Sequence, residues 1–377
     1  MKVFRIVLVI GLLLSFTGLA HAYGFIPSGA IPNVSVAQMG MGGLTTVVSS
    51  NAHTVLYNPG MLTRQKFVLE VTPQFSFDSD VLDMAQFISD HESDFASFES
   101  LSPEAQSLFL QDAEPFDNEW YGIGAHPFAG LGWKNFGIAT YAEMAGNVKL
   151  DLGVLVPAVA MRGYMDAGAA VGFGKNMTFG RKGVGMGLAF RYFERYEVST
   201  TRISATDASN TPAMMEALLN ELEDPRAGFG LDLGAVHTLE FGDVGRGASM
   251  DVAAVIQDLY GSLDGEYIEP NLKFGAMYHG TSGGFLLRRF DLGLELTDAL
   301  NREGVSFWQK INMGGELGVL GGLLNLRGGF HQGYPTYGLG VRFLMIKVDI
   351  ASYTNELGTS PGQVPDEQFY FQVSVGW

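Results

Sequence analysis

From residue 66 to the C-terminus the chain alternates apolar and polar residues with a period of two, in runs of about ten residues. In the first run Phe67, Leu69, Val71, Phe75 and Phe77 take one face, and Val68, Glu70, Thr72, Gln74 and Ser76 the other. Phe290, Leu292, Leu294 and Leu296 alternate with Asp291, Gly293, Glu295 and Thr297 in the same way, and the chain closes on Phe369, Phe371, Val373, Val375 and Trp377. This period puts alternate side chains on opposite faces of a strand. A soluble sandwich alternates too, but with shorter strands and without an aromatic run at its end. About ten residues is what a tilted membrane strand needs. The expected fold class is all-β, a transmembrane antiparallel β-barrel.

Fourteen strands are expected, near 66–77, 119–132, 136–148, 162–175, 184–198, 227–241, 248–258, 268–279, 283–298, 308–320, 323–332, 337–343, 346–356 and 368–377. Residues 149–161 make a fifteenth only at the expense of parity. In a bacterial barrel both termini are periplasmic, so connections after odd strands face outside and run long, and those after even strands are tight. With fourteen, the connections 79–117, 199–226, 259–267, 299–307 and 357–367 all follow odd strands. Lys134-Asn135, Gly242-Asp243, Gly280-Thr281 and Gly321-Gly322 follow even ones. Two outer connections carry helical spacing: Thr211-Pro212 opens a stretch with Met214, Met215, Leu218, Leu219 and Leu222, and Ser102-Pro103 one with Leu108, Phe109 and Leu110. Such helices either cap the mouth by packing on each other or offer an apolar landing surface.

Lys2 and Arg5, the apolar run Ile6 to Leu19, and Ala20-His21-Ala22 have the order of a secretory signal, so residues 1–22 are expected to be removed. Fifty glycines and 12% aromatic against 17% charged residues fit many strands with an apolar exterior. Losing Lys2 and Arg5 takes the net charge from −17 to −19, which argues against a nucleic-acid partner. The chain has no cysteine, which excludes a disulfide framework and thiolate metal sites. The histidines fall in no zinc-binding spacing. Residues 172–178, GFGKNMT, lack the first glycine and the final Ser or Thr of a phosphate loop, and their glycines point instead to close strand packing or a bend. No cofactor, metal or enzymatic activity is expected.

Residues 23–64, rich in Gly, Pro, Ser and Asn, precede the first strand. A barrel of this size leaks unless its lumen is filled, and irregular backbone is tolerated where it faces protein or water, so this segment is the expected plug and 65–377 the barrel. Asn58-Pro59-Gly60 is its stiffest part: Pro59 fixes φ, and Gly60 permits a backbone angle closed to other residues.

Tyr23-Gly24-Phe25 followed by MGMGGLTTVVSSNAHTVLYNPGML resembles the N-terminal hatch of FadL-type outer-membrane transporters for long-chain fatty acids and other hydrophobic compounds. That family has a glycine-rich stretch, an acidic pair and an Asn-Pro-Ala. Asn58-Pro59 matches, Gly60 stands in for Ala, and Asn51-Ala52 for the acidic pair. LRGGFHQGYPTYGLGVRF and IKVDIASYTNELG are similar to the related branch of PorV-type and spirochaete-like barrels. The resemblance implies a monomeric channel in the bacterial outer membrane, lodged in its lipid. Hydrophobic or amphipathic small molecules would adsorb at the loop helices and pass when the hatch shifts. The PorV-type branch implies instead a non-transporting scaffold or shuttle in envelope secretion. An apolar tunnel under the hatch would mark the first, a filled lumen the second. The run Phe369–Trp377 is similar to the terminal strand that the barrel-assembly machinery reads. Ligand contacts are expected at Phe25 and Ile26 at the hatch tip and at Met214, Met215, Leu218 and Leu219. Arg327, Arg342 and Lys347 would meet a carboxylate if they face inward, or pair with lumen acids such as Asp291 or Glu295.

Overall fold

The computed structural model describes residues 34–48, 51–78, 80–117, 119–153, 157–179, 182–204, 225–241, 248–282, 284–356, 358–363 and 365–376. Residues 1–22, Phe25, Ile26, Met214, Met215, Leu218, Leu219 and Trp377 lie outside that set.

The strands are β1 (Phe67–Thr72 and Gln74–Asp78), β2 (Trp120–Ala125 and Phe128–Trp133), β3 (Phe136–Asp151), β4 (Ala158–Phe179) and β5 (Lys182–Ser204). There follow β6 (Arg226–Phe241), β7 (Ala248–Leu263), β8 (Glu266–Ile268 and Asn271–Thr281), β9 (Leu287–Leu296) and β10 (Ile311–Val319). The last four are β11 (Leu324–His331), β12 (Tyr334–Phe343), β13 (Ile346–Glu356) and β14 (Pro365–Gly376). Each pairs antiparallel with the next, and β14 pairs with both halves of β1, which closes a fourteen-stranded barrel. The interruptions in β1 and β2 fall at Pro73 and Pro127, which have no N–H for the ladder. The neighbouring chain bridges the gap: Val373 N donates to Pro73 O, and His126 N to Gln74 O.

The alternation falls as expected. Phe67, Leu292 and Phe371 are exposed by 49%, 57% and 39%, while Glu70, Glu295, Gln372 and Ser374 on the opposite faces are buried. A closed barrel that is apolar outside and polar inside reverses a soluble protein and suits lipid. No described helix is long and apolar enough to cross a membrane.

Residues 149–161 are divided between the ends of β3 and β4 rather than forming a strand. Connections after even strands are short, as at 134–135, 320–323 and 344–345, and the longest described one, between β1 and β2, follows an odd strand. The expected loop at 259–267 is corrected: β7 runs to Leu263 and turns at once through Asp264-Gly265, both at positive φ, into β8. Asp-Gly is a strong hairpin signal. It was obscured by a bulge, because Leu231 pairs with Tyr260 but Leu233 with Ile256, so the alternation breaks at Gln257–Leu259.

The β1–β2 connection holds α3 (Val81–Asp90), α4 (Glu92–Ala96) and α5 (Pro103–Ala113), the last capped by the Ser102 hydroxyl. Met84, Phe87, Phe98, Phe109 and Ala113 pack together over Tyr121 and Leu150 at the barrel rim. These helices therefore bury their apolar faces on one another, while Leu82 and Leu108 remain exposed.

Candidate functional site: the filled lumen and its cavity

Residues 35–48 and 51–62 are all buried, packed against the inward faces of the strands in two lobes. Their regular pieces are short: α1 (Val36–Met39), α2 (Thr54–Tyr57) and a 3₁₀ turn (Pro59–Arg64). The first lobe, residues 34–48, faces β8 to β14. Glu295 on β9 accepts from Thr45 N and Thr46 N, each at 2.8 Å, and from Thr45 Oγ1 at 2.9 Å. Gln372 Oε1 accepts from Val36 N at 2.8 Å, and Thr336 Oγ1 from Gly42 N at 3.0 Å. Irregular backbone inside a protein must find such partners, and a carboxylate accepting several donors is among the strongest.

The second lobe, residues 51–65, faces β1 to β6. Glu70 accepts from Ala52 N at 3.0 Å, and His53 stacks on Phe128 with ring centroids 3.5 Å apart. Its main seat is the absence of side chains on the wall. A Cβ at Gly187 would lie 2.2 Å from Pro59 O, and one at Gly234 2.0 Å from Asn58 Oδ1. The motif itself is tightly held: Asn58 Oδ1 accepts from Gly60 N at 2.9 Å, and Asn58 Nδ2 donates to Thr46 O at 2.6 Å. Gly60 is corrected as to reason. Its φ is not positive, and a Cβ there would meet the β6 backbone at 2.9 Å, so the requirement is close approach rather than a special angle. Tyr57 ties the lobes together by accepting from Ser35 N at 2.8 Å, and burial pushes its phenol pKa well up.

Beneath the first lobe, at the short-turn end of β8 to β14, lies a cavity of about 430 Å³. Ala37, Met41, Val47 and Val48 form its apolar roof. Arg288, Arg289, Arg327, Arg342 and Lys347 also line it, with Glu70, Asp291 and Glu316. The structure thus brings Arg327, Arg342 and Lys347 to one place. Arg327 is buried and donates to Glu316 at 2.6 Å and Asp349 at 2.7 Å, so both its ends are occupied by internal carboxylates. These are not the acids expected: Asp291 pairs with His279, and Glu295 holds the first lobe. Lys347 lies 3.1 Å from Asp349, and Arg289 pairs with Glu316.

No family model matches the sequence, and no curated protein does. Among solved structures the chain is similar to the Ralstonia pickettii toluene transporter TbuX, at 9% identity and a TM-score of 0.43, covering 92% of this chain and 98% of that one. It is similar to the Pseudomonas putida toluene transporter TodX at 8% and 0.38, covering 95% and 98%. CdiB from Acinetobacter baumannii matches at 10% and 0.34, over 83% of this chain, which spans 60% of that one. At these identities and TM-scores the likenesses fix neither family nor cargo.

Proposed function

We propose that the chain is a passive conduit of the bacterial outer membrane for hydrophobic or amphipathic small molecules, long-chain fatty acids among them, closed at rest by residues 23–64 acting as a hatch. The observation that carries this reading is a run of irregular backbone buried throughout inside a closed barrel, on wall positions kept free of side chains. A permanently sealed barrel needs only bulky inward side chains; a separate segment on a smooth seat is a removable seal. In this reading the long connections face outside, the short turns face the periplasm, and cargo passes when the hatch shifts.

Planar-bilayer conductance tests the seal. Wild type is expected to be silent, Pro59→Ala with Gly60→Val to flicker, and deletion of 23–64 to conduct steadily. A folded deletion variant as tight as wild type would end the hatch reading. A second reading, the non-transporting scaffold, draws support from the lumen wall beyond the second lobe. There Arg191 pairs with Asp232 and Asp258, and Arg195 with Asp166, in place of an apolar lining. Uptake of radiolabelled oleate by cells with and without the protein separates the two, since a scaffold leaves uptake unchanged.

A further inference from the structure

Three neighbouring short turns, around Phe285-Leu286, at 320–323 and at 344–345, carry large apolar side chains, two of them beside the glycines that form the turn. Phe285, Leu286, Leu323 and Leu344 are exposed by 69%, 74%, 51% and 79%. Leu320 and Leu344 sit at φ of 51° and 55°, a region that disfavours leucine. Turn positions in water select Gly, Asn or Asp, so the leucines at the tips report an apolar surrounding. The first two turns touch, Gly321 N donating to Phe285 O at 2.8 Å, and the second meets the end of β12, where Arg342 N donates to Leu323 O at 2.8 Å. Their apolar surface runs without a break into the outward residues Leu317, Val341 and Ile346 of the lipid-facing wall. That continuity favours lipid over a protein partner.

Cations stand directly behind these tips. Arg288 and Arg342 line the 430 Å³ cavity, and neither has an acidic partner within 4 Å among the described residues. Arg288 reaches only a carbonyl, Gly321 O at 2.6 Å. The two guanidinium groups therefore carry charge that no described carboxylate within 4 Å offsets. The cavity is of the size that holds a small polar group with part of a chain. Guanidinium forks suit phosphate oxygens, and basic residues beside apolar anchors are how proteins hold anionic lipid.

We infer that the short-turn rim of β9 to β13 is a binding site for one anionic phospholipid, its phosphate held by Arg288 and Arg342 at the cavity mouth and its acyl chains lying on Phe285, Leu286, Leu323 and Leu344. This goes beyond the conduit reading and does not require the hatch to open.

The test is native mass spectrometry of the full barrel in dodecyl maltoside, titrated with phosphatidylglycerol, diacylglycerol or inorganic phosphate. One phosphatidylglycerol is expected to be retained saturably, with at least tenfold weaker binding in Arg288→Gln/Arg342→Gln and substantial recovery in Arg288→Lys/Arg342→Lys. Equal retention of diacylglycerol would reduce the site to greasy turns and overturn the headgroup assignment. Displacement of the lipid by millimolar inorganic phosphate would make it a free-anion site and overturn the lipid. Unchanged binding in the Gln variant would overturn the role of the arginines. If that variant does not give a heat-modifiable barrel, wild-type affinity read from 50 to 500 mM salt decides: a fall supports the site, and constancy removes it.

Discussion

The two lobes inside the barrel both lie against wall glycines, a Cβ at Gly314 falling 2.4 Å from Met41 O, but they differ in the polar bonds added to that contact. The second lobe rests on shape: Pro59 and Asn58 lie against Gly187 and Gly234, where the wall offers backbone and nothing else. The first lobe is held by directed polar bonds, above all those from the peptide at Thr45-Thr46 to Glu295, and has a charged cavity under it. Close packing against backbone, with Ala52 N to Glu70 as its bond to the wall carboxylate, is rigid and fails only when the wall changes. Bonds to one carboxylate can be lost singly. On the proposed hatch reading, the contrast makes the second lobe the fixed end of the segment and the first lobe its releasable end.

The sharpest way to break this contrast is to put a side chain into the seat of the fixed end. Gly187→Val places a Cβ 2.2 Å from Pro59 O, whereas Gly183 on the same strand has open space within 4 Å. Overpacking a filled interior costs about 1–3 kcal/mol or more. Gly187→Val is therefore expected to evict the second lobe and give large, steady single-channel conductance, with Gly183→Val as silent as wild type. A folded, sealed Gly187→Val barrel would mean the glycine seat is not what holds the lobe.

Glu295→Ala addresses the releasable end. It removes three hydrogen bonds to a carboxylate, from Thr45 N, Thr46 N and Thr45 Oγ1. Bonds to charged groups contribute about 1.5–3 kcal/mol each, and about 1.4 kcal/mol is a tenfold change in an equilibrium. Open probability is expected to rise by at least ~10-fold, as flicker rather than steady current because the second lobe stays seated. Glu295→Gln, which keeps one acceptor oxygen, should fall between. Steady current from Glu295→Ala would show that the lobes are released together.

The wall was legible in the sequence and the seat was not. Parity located fourteen strands because lipid outside and polar lumen inside impose a strict period of two on side chains such as Phe369, Tyr370 and Phe371. It failed at the Gln257–Leu259 bulge, since an extra residue shifts the faces without changing composition, and at the turn expected at Gly280-Thr281, which pair in the ladder with Phe290 and Arg289. The signal for the seat was present as glycines on the inward phase, Gly185 and Gly187 before Ala189, and Gly230 and Gly234 around Asp232. Glycine in a strand has several causes, and only the contact with Pro59 and Asn58 selects among them. The late-strand arginines show a similar limit. Arg327 and Arg342 are indistinguishable by type and phase, yet one is enclosed by Glu316 and Asp349 and the other stands at the cavity mouth. Pairing across strands depends on register, which a single strand does not encode.

The smallest expected effect tests whether the two ends are mechanically joined. Asn58 belongs to the second lobe, yet its Nδ2 donates 2.6 Å to Thr46 O, the residue whose N–H Glu295 holds. Thr46 is thus gripped at its N–H from the wall by Glu295 and at its carbonyl from the other lobe by Asn58. Asn58→Ala removes that bond and the Oδ1 cap on Gly60 N, a loss of about 0.5–2 kcal/mol by analogy with helix caps. Its own change in open probability is expected to be a few-fold. The informative quantity is the cycle with Glu295→Gln: sites without shared partners add within about 0.3–0.5 kcal/mol, whereas those in one network couple by about 0.5–3 kcal/mol. Coupling is expected here, because once Asn58 lets go the turn at Thr46 shifts and Glu295 loses alignment with both N–H groups. Strict additivity would separate the lobes into independent bodies, and the first would then open without any hold from the Asn-Pro-Gly.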